Sequence, residues 1–76
     1  MIKRSVSLRG HRTSLALEPE FWSALDAAAS ERGASRAGLI AAIDDARAGT
    51  GQPLSSAVRV WLLRQASARS EGTDTK

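Results

Sequence analysis

The apolar residues of this chain change their spacing near residue 18, from every second position to the spacing of a helix. Two alternating runs, residues 2–8 and 12–17, come before the change. Alternation with a period of two predicts half-buried β-strands, each with one polar face. The polar faces hold Lys3, Ser5 and Ser7 in the first run and Arg12, Ser14 and Ala16 in the second.

Residues 9–11 separate the two runs and include Gly10, a residue that suits a tight turn. The runs could therefore form a hairpin within one chain. Equally, the first run could be a flexible arm and only the second a strand. The sequence leaves both arrangements open.

Three helices are predicted after the strands. Pro19 favours a helix start, and Gly33 favours an end, so the first helix should span about 19–32. Ser35 is a natural cap for a second helix that should stop near residues 46–49. A third helix is expected over about 54–66, followed by a disordered tail over 67–76, because those last residues have little to bury.

Size and composition exclude several classes of protein. The chain has 76 residues, and residues 1–66 are predicted to form a single domain. A domain of this size gains only marginal stability from its own hydrophobic core. The absence of cysteine excludes disulfides and thiol chemistry, and a single histidine without a ligand cluster makes a metal or cofactor site unexpected. Neither a signal peptide nor a membrane-spanning run is apparent, which predicts a cytoplasmic protein.

The net charge of +3 conceals an uneven distribution. Residues 1–14 carry four basic residues and no acid, residues 15–45 carry six acids against two arginines, and residues 46–76 carry five bases against two acids, giving 4 − 4 + 3 = +3. A basic segment ahead of an acidic helical body is compatible with binding a polyanion. Basic residues that only aid solubility would give the same distribution.

Short strands at the start of a helical chain leave unpaired backbone edges, and an isolated hairpin is marginal in water. A two-fold dimer, in which a strand pairs antiparallel with its copy, would resolve this. The two chains would then share one core. Its predicted members are the apolar residues of the second strand and the first two helices: Leu15, Leu17, Phe21, Leu25, Leu39, Ile40 and Ile43.

The order of these elements resembles the ribbon-helix-helix (Arc/MetJ-like) family. The generic resemblance covers the core at 12–46, from RTSLAL at 12–17 through GAS at 33–35 to Leu39, Ile40 and Ile43. More narrowly, GHRTSLALEPEFW at 10–22, the pair Asp44 and Arg47, and LSSAVRVW at 54–61 are similar to a bacterial subfamily with a C-terminal helical extension. The resemblance implies an α+β, mostly helical fold with an intertwined dimer.

The same resemblance implies a bacterial transcriptional regulator that inserts a β-ribbon into the major groove of double-stranded DNA. Carried over, the base-reading row is Arg12, Ser14 and Ala16, and the phosphate clamp at the second helix is Ser35 with Arg36. Ala16 departs from the family, whose members often have a longer polar or basic side chain there. Phosphate contacts by Lys3, Arg4 and Arg9 could supply the missing charge.

A second hypothesis is a dimeric protein-interaction module that no longer reads DNA and docks a partner through the third helix. Ala16 and the acidic helical body motivate it. An enzyme is not expected, because the serines have no base and His11 has no orienting partner in reach. His11 is interpreted as a turn residue and the two tryptophans as packing residues. Asp44 and Asp45 are interpreted as a solvated helix end or as a salt bridge to Arg47.

Overall fold

A computed structural model describes the backbone of residues 1–74 and the side chains of residues 1–68. Two strands are followed by three helices. They are β1 (Ile2–Leu8), β2 (His11–Leu17), α1 (Pro19–Glu31), α2 (Arg36–Ala46) and α3 (Leu54–Asp74). This architecture confirms the predicted ribbon-helix-helix fold with an additional N-terminal strand and a third helix.

β1 and β2 form an antiparallel hairpin, which settles the choice that the sequence left open. The register pairs Ile2 with Leu17 at the open end and Leu8 with His11 beside the turn. Arg9 and Gly10 form the two-residue loop and both have positive φ, 55° and 82°. A type I′ turn needs positive φ at both central residues, and its twist matches that of the flanking strands. The second position is glycine, which adopts this conformation without steric cost.

The first two helices begin and end at the predicted signals. The Ser35 hydroxyl accepts a hydrogen bond from the Gly38 amide at 3.0 Å and thereby caps α2. α1 ends in a Schellman motif around Gly33, whose φ is 67°. There the Ala34 amide donates to the Ala29 carbonyl at 2.9 Å, and the Gly33 amide donates to the Ser30 carbonyl at 3.1 Å.

One hydrophobic core joins the inner face of the hairpin to all three helices. Its fully buried members include Leu15, Leu17, Leu25, Ile40 and Val58. Val6 and Leu8 of β1, and Ala57 and Leu62 of α3, belong to the same core. Because Val6, Leu8, Leu15 and Leu17 are buried on the inner face of the hairpin, the polar face must point away from the helices.

The residues predicted to form a core shared by two chains are already buried within one chain. Six of the seven are buried and Phe21 is half-buried against them. Apolar residues of β1 and α3 pack over this core, in the place where a second copy of the chain was expected. The partner's part in that core therefore stays a prediction.

α3 is longer than predicted. It continues to Asp74, whereas the sequence predicts an end near residue 66 and a disordered tail over 67–76. The physical reason is that residues 63–71 contain no proline or glycine and several good helix formers, so the helix can propagate past residue 66 without burying apolar surface, and Gly72 falls only in its last turn. Residues 75–76 lie outside the described residues. Within the described part of the chain, no helix combines the length and apolar character needed to cross a bilayer.

Candidate nucleic-acid interface

The outward face of the hairpin brings the polar rows of both strands together. Its six residues form three cross-strand pairs: Lys3 with Ala16, Ser5 with Ser14, and Ser7 with Arg12. Five of the six are exposed and Ala16 is half-buried. The predicted base-reading row of β2 therefore does face outward, and the matching row of β1 lies beside it.

Lys3 and Arg12 are the two cations of this outward face, and residues 1–17 contain no acid. Among the described side chains, neither cation has a carboxylate partner. The hydroxyls of Ser5, Ser7 and Ser14 also have no hydrogen-bond partner within that part of the chain. The face thus presents positive charge and free donors and acceptors to solvent.

Lys3 lies directly across from Ala16 in the register. Cβ atoms of directly opposite residues in an antiparallel pair are about 4.5–5.5 Å apart. The short side chain of Ala16 therefore leaves room for the long Lys3 side chain on the same face. This placement supports the expectation that a residue of the first segment compensates for the charge that Ala16 lacks.

Arg4 lies on the opposite face of β1 from Lys3. Its guanidinium carbon is 5.3 Å from the centroid of the Trp22 ring, within the range of a cation–π contact. Trp22 is buried and its indole Nε1 donates to the Ile2 carbonyl at 2.8 Å. This contact ties the start of β1 to α1. Arg4 is thus separated from the outward face, and its contact with phosphate stays a prediction.

Arg9 sits in the hairpin turn and pairs with Asp45 at the end of α2. Both side chains are more than half exposed. An exposed ion pair contributes little to stability, about 0–1 kcal/mol, so this contact is weak enough to exchange for another anion. The turn places Arg9 at the tip of the hairpin, next to the outward face. The contact of Arg9 with a DNA phosphate stays a prediction.

The predicted phosphate clamp at α2 is engaged within the chain. The Ser35 hydroxyl caps the helix, as described above. Arg36 donates from Nε to Asp26 Oδ1 and from Nη2 to Asp26 Oδ2, both at 2.7 Å, a bidentate pair between α2 and α1. Its guanidinium carbon also lies 5.1 Å from the Trp22 ring centroid. A phosphate at this helix end would therefore compete with the Asp26 carboxylate for Arg36.

The ion pair between Asp26 and Arg36 shifts the pKa values of both residues in the direction that favours their charged forms. The hydrogen bond from Arg36 lowers the pKa of Asp26 below its usual value of 3.8, and the positive charges of Arg36 and Arg4 add to the effect. The same hydrogen bond raises the pKa of Arg36. Partial burial opposes both shifts without reversing them. Asp26 is therefore a carboxylate at neutral pH and holds Arg36 in place.

Other charged residues form ion pairs that hold loops and helix ends in place. Arg47 donates from Nε to Asp44 Oδ1 at 2.7 Å, which confirms the predicted salt bridge, and from Nη1 to the Gln52 carbonyl at 2.7 Å. Arg59 of α3 pairs with Glu18 at 2.9 Å. The pKa of Glu18 is lowered by a hydrogen bond to its own backbone and then by the Arg59 pair. These contacts fix loops and helix ends rather than the outward face.

The two tryptophans pack as predicted, whereas His11, interpreted as a turn residue, lies in strand β2 next to the turn. Trp22 is buried in the core, and Trp61 is half-buried against it with Arg32 over its ring at 4.9 Å from the centroid. His11 is exposed and is the first residue of β2 after the turn.

Ser5 and Ser7 lie on the outward face but were not predicted as candidate site residues. The available signal was the alternation of residues 2–8, which already placed both serines on one side with Lys3. The alternation does not show which strand pairs with residues 2–8. Only the hairpin register shows that these serines share a face with Arg12 and Ser14.

Comparison with known proteins gives one family match. The family model described as a ribbon-helix-helix domain matches residues 1–66, which includes both strands, α1, α2 and the first part of α3. No curated protein and no solved structure matches the chain. Because the match covers most of the chain and agrees with the order of its elements, the chain belongs to the ribbon-helix-helix domain family.

Proposed function

We propose that this protein is a homodimeric DNA-binding protein, a bacterial transcriptional regulator that inserts its β-ribbon into the major groove. The observation that carries the proposal is the outward face of the hairpin. It is exposed, free of acids and holds two cations without carboxylate partners among the described side chains. The role is one of binding, with no catalytic step.

The physical chemistry of DNA binding supports this use of the face. The duplex is a dense line of negative charge, so unpaired cations gain more there than cations already bound to carboxylates. Arginine can bind guanine O6 and N7 through two hydrogen bonds, and serine can contact a base edge as donor or acceptor. Arg12 and Ser14 present these groups from β2. Family membership makes DNA binding the expected function of the fold.

The test is fluorescence anisotropy on duplexes chosen by selection from a random pool. Arg12→Ala should lose about 1–3 kcal/mol of discrimination at one base pair while keeping most of its affinity for unrelated sequences. Arg64→Ala is the matched control, because Arg64 is an exposed arginine on α3, outside the hairpin.

Two results would contradict the assignment of Arg12 to base reading. Equal weakening of the Arg12→Ala variant on every sequence would make Arg12 a backbone contact. An equal effect of Arg64→Ala would show that only the overall charge matters.

The homodimer is part of the proposal because ribbon-helix-helix proteins typically act as dimers. Each hairpin has two strands, so the outer edges of β1 and β2 have no strand partner within the described residues. Light scattering on the full chain should give twice the mass of the chain at micromolar concentration. A monomer that still binds DNA at that concentration would remove dimerisation from the proposal.

A second candidate function is a protein-interaction module that uses α3. The observation that favours it is Leu63, which is 65% exposed on α3. A separate groove between α1 and α3 is lined by four alanines, Leu62 and Gln65; the alanines are Ala24, Ala27, Ala28 and Ala66. Leu63→Glu should abolish capture of a protein partner and spare DNA binding under this alternative. If the variant changes only the oligomeric mass, the exposed surface of α3 around Leu63 serves the homodimer.

A further inference from the structure

A cleft lies between the C-terminal end of α2, the loop that follows it and α3. None of the described residues that line it belongs to the hairpin, so the cleft is separate from the outward face. Its volume is about 260 Å³. An engineered apolar cavity of about 150 Å³ holds benzene, whereas drug-sized ligands fill about 300–1,000 Å³. This α2–α3 cleft therefore has room for a molecule of about one ring.

The apolar wall of the α2–α3 cleft includes Ile43 from α2 and Val60 and Trp61 from α3. Trp61 is half-buried. Arg32 lies over the Trp61 ring at 4.9 Å from its centroid but does not line the cleft. The indole therefore meets the cleft with a part of its surface that Arg32 leaves uncovered. An aromatic ligand can pack there edge-to-face or in an offset stack, the two arrangements that aromatic pairs prefer.

Two arginines line the α2–α3 cleft, and no carboxylate of the described side chains does. Arg47 is already held, because it donates to Asp44 Oδ1 and to the Gln52 carbonyl, both at 2.7 Å. Arg64 is exposed and has no carboxylate partner among the described side chains. A guanidinium can bind a carboxylate through two parallel hydrogen bonds. Arg64 is therefore the group in the cleft that is available to an anion.

The loop side of the α2–α3 cleft is fixed by hydrogen bonds within the chain. The Thr50 hydroxyl donates to the Arg47 carbonyl at 2.6 Å, and the Gln52 amide donates to the Thr50 hydroxyl at 3.1 Å. The Arg47 guanidinium closes the same loop on the Gln52 carbonyl. Because a ligand does not have to order this loop, its binding carries a smaller entropic cost.

We propose that the α2–α3 cleft binds a small aromatic carboxylate, whose ring packs on Trp61 and whose carboxylate pairs with Arg64. The apolar wall favours a ring, the free guanidinium favours a negative charge, and the volume limits the ligand to about one ring. This site lies away from the outward face. The proposal therefore goes beyond the proposed function and does not depend on DNA binding.

The test is an NMR titration of the full chain with benzoate. The chain has two tryptophans, whose indole N–H signals report separately. The Trp61 signal should shift and saturate with a Kd of about 1 mM or tighter, within the range for so small a ligand. The signal of Trp22, whose indole N–H donates to the Ile2 carbonyl outside the cleft, should stay in place.

Two further probes separate the charge from the ring. Benzamide has nearly the shape of benzoate without its charge, and it should bind at least about tenfold more weakly, the effect of losing a hydrogen-bonded ion pair. Acetate keeps the charge without the ring and should leave the Trp61 signal unchanged at the same concentrations.

The variant that tests the cation is Arg64→Gln, which should weaken benzoate binding by at least about tenfold. Arg12→Gln is the matched control, because it removes the same charge from the outward face and should bind benzoate as wild type does. In DNA binding the two variants should exchange roles, since Arg12→Gln weakens binding to the selected duplex and Arg64→Gln does not. Circular dichroism first confirms equal folding of both variants.

Several results would overturn the proposal. Absence of a saturable shift of the Trp61 signal would mean that the cleft binds no aromatic carboxylate. Equal affinities for benzoate and benzamide would remove the pair with Arg64, and equal affinities for benzoate and acetate would remove the contact with the ring. An equal shift of the Trp22 signal would make the binding nonspecific. Equal weakening by Arg64→Gln and Arg12→Gln would assign the effect to net charge alone.

Discussion

At the scale of single residues, the cations of the chain divide by whether a carboxylate holds them. Arg9, Arg36, Arg47 and Arg59 each pair with an acid. Lys3 and Arg12, on the outward face, have no such partner among the described side chains, and Arg64 of α3, away from that face, has none either. Charge count alone would treat all of these as equal candidates for DNA contact, but a cation must first lose its intramolecular partner before it gains a phosphate.

Asp26→Asn tests the link between this pairing and stability. The pKa of Asp26 is lowered in the folded protein, so its contribution to the free energy of unfolding is present above the usual value of 3.8. That contribution is lost as the pH falls through the lower, folded-state pKa. The variant should be slightly less stable than wild type at pH 7, by less than about 1 kcal/mol because the pair is partly exposed. Urea unfolding should show the difference shrinking as the pH falls below 3.8. A difference that stays constant with pH would contradict the assignment.

The same substitution tests Arg36 as a phosphate contact. Releasing Arg36 from Asp26 should strengthen DNA binding and steepen the dependence of log K on log salt by about 0.9, the value for one additional phosphate. Asp44→Asn is the matched control, because it removes one negative charge and releases Arg47 instead. If both variants strengthen binding equally, the cause is the change in net charge and Arg36 has no special role.

At the scale of the elements, the hairpin turn fixes which residues share the outward face. A one-residue slip would move the serines inward and the core residues outward. Gly10, at φ 82°, is the turn residue that the register depends on. Gly10→Ala should lower the free energy of unfolding by about 1–2 kcal/mol, because alanine is strained in the left-handed region. Gly10→Asn should cost less, since asparagine tolerates that region. If urea unfolding gives equal stability for the two variants, Gly10 does not need its left-handed conformation in the turn.

The sequence did not decide whether α3 belongs to the hydrophobic core or forms a docking surface for a partner. Leu62 is 6% exposed, whereas its neighbour Leu63 is 65% exposed. Leu62→Ala should therefore cost about 2–5 kcal/mol of stability, as other large-to-small core substitutions do. Leu63→Ala should change stability by no more than about 0.5 kcal/mol. Urea unfolding of both variants checks this, and similar losses for the two would contradict the orientation of α3.

The elements themselves were largely predictable from sequence, because each has a local signal. Gly33 and Ser35 mark the helix boundaries, and Leu15 and Leu17 mark the inner face of β2. The pairing of β1 was not predictable, since alternation is a property of one strand and does not identify its partner. The pair between Arg36 and Asp26 and the pair between Arg9 and Asp45 were missed for the same reason: they join residues on different elements.

At the scale of the whole molecule, the core closes within one chain. β1 and α3 pack over the apolar residues that were expected to form a core shared by two chains. We therefore expect the homodimer to dissociate on dilution into monomers that stay folded. Far-ultraviolet circular dichroism should remain constant across the concentration range in which light scattering reports loss of the dimer. Loss of helical signal together with loss of the dimer would show instead that the two chains share one core.

The most direct test of DNA binding by the outward face is anisotropy on a pool of random duplexes, titrated with salt. The wild-type protein should bind at about 50 mM salt and weaken steeply as salt rises. The double variant Lys3→Gln with Arg12→Gln should lose at least about tenfold in affinity, chiefly through the lost phosphate contact of Lys3, whereas Arg64→Gln should bind nearly as wild type does. No binding by the wild-type protein at about 50 mM salt, or an equal loss in the Arg64→Gln control, would contradict the account.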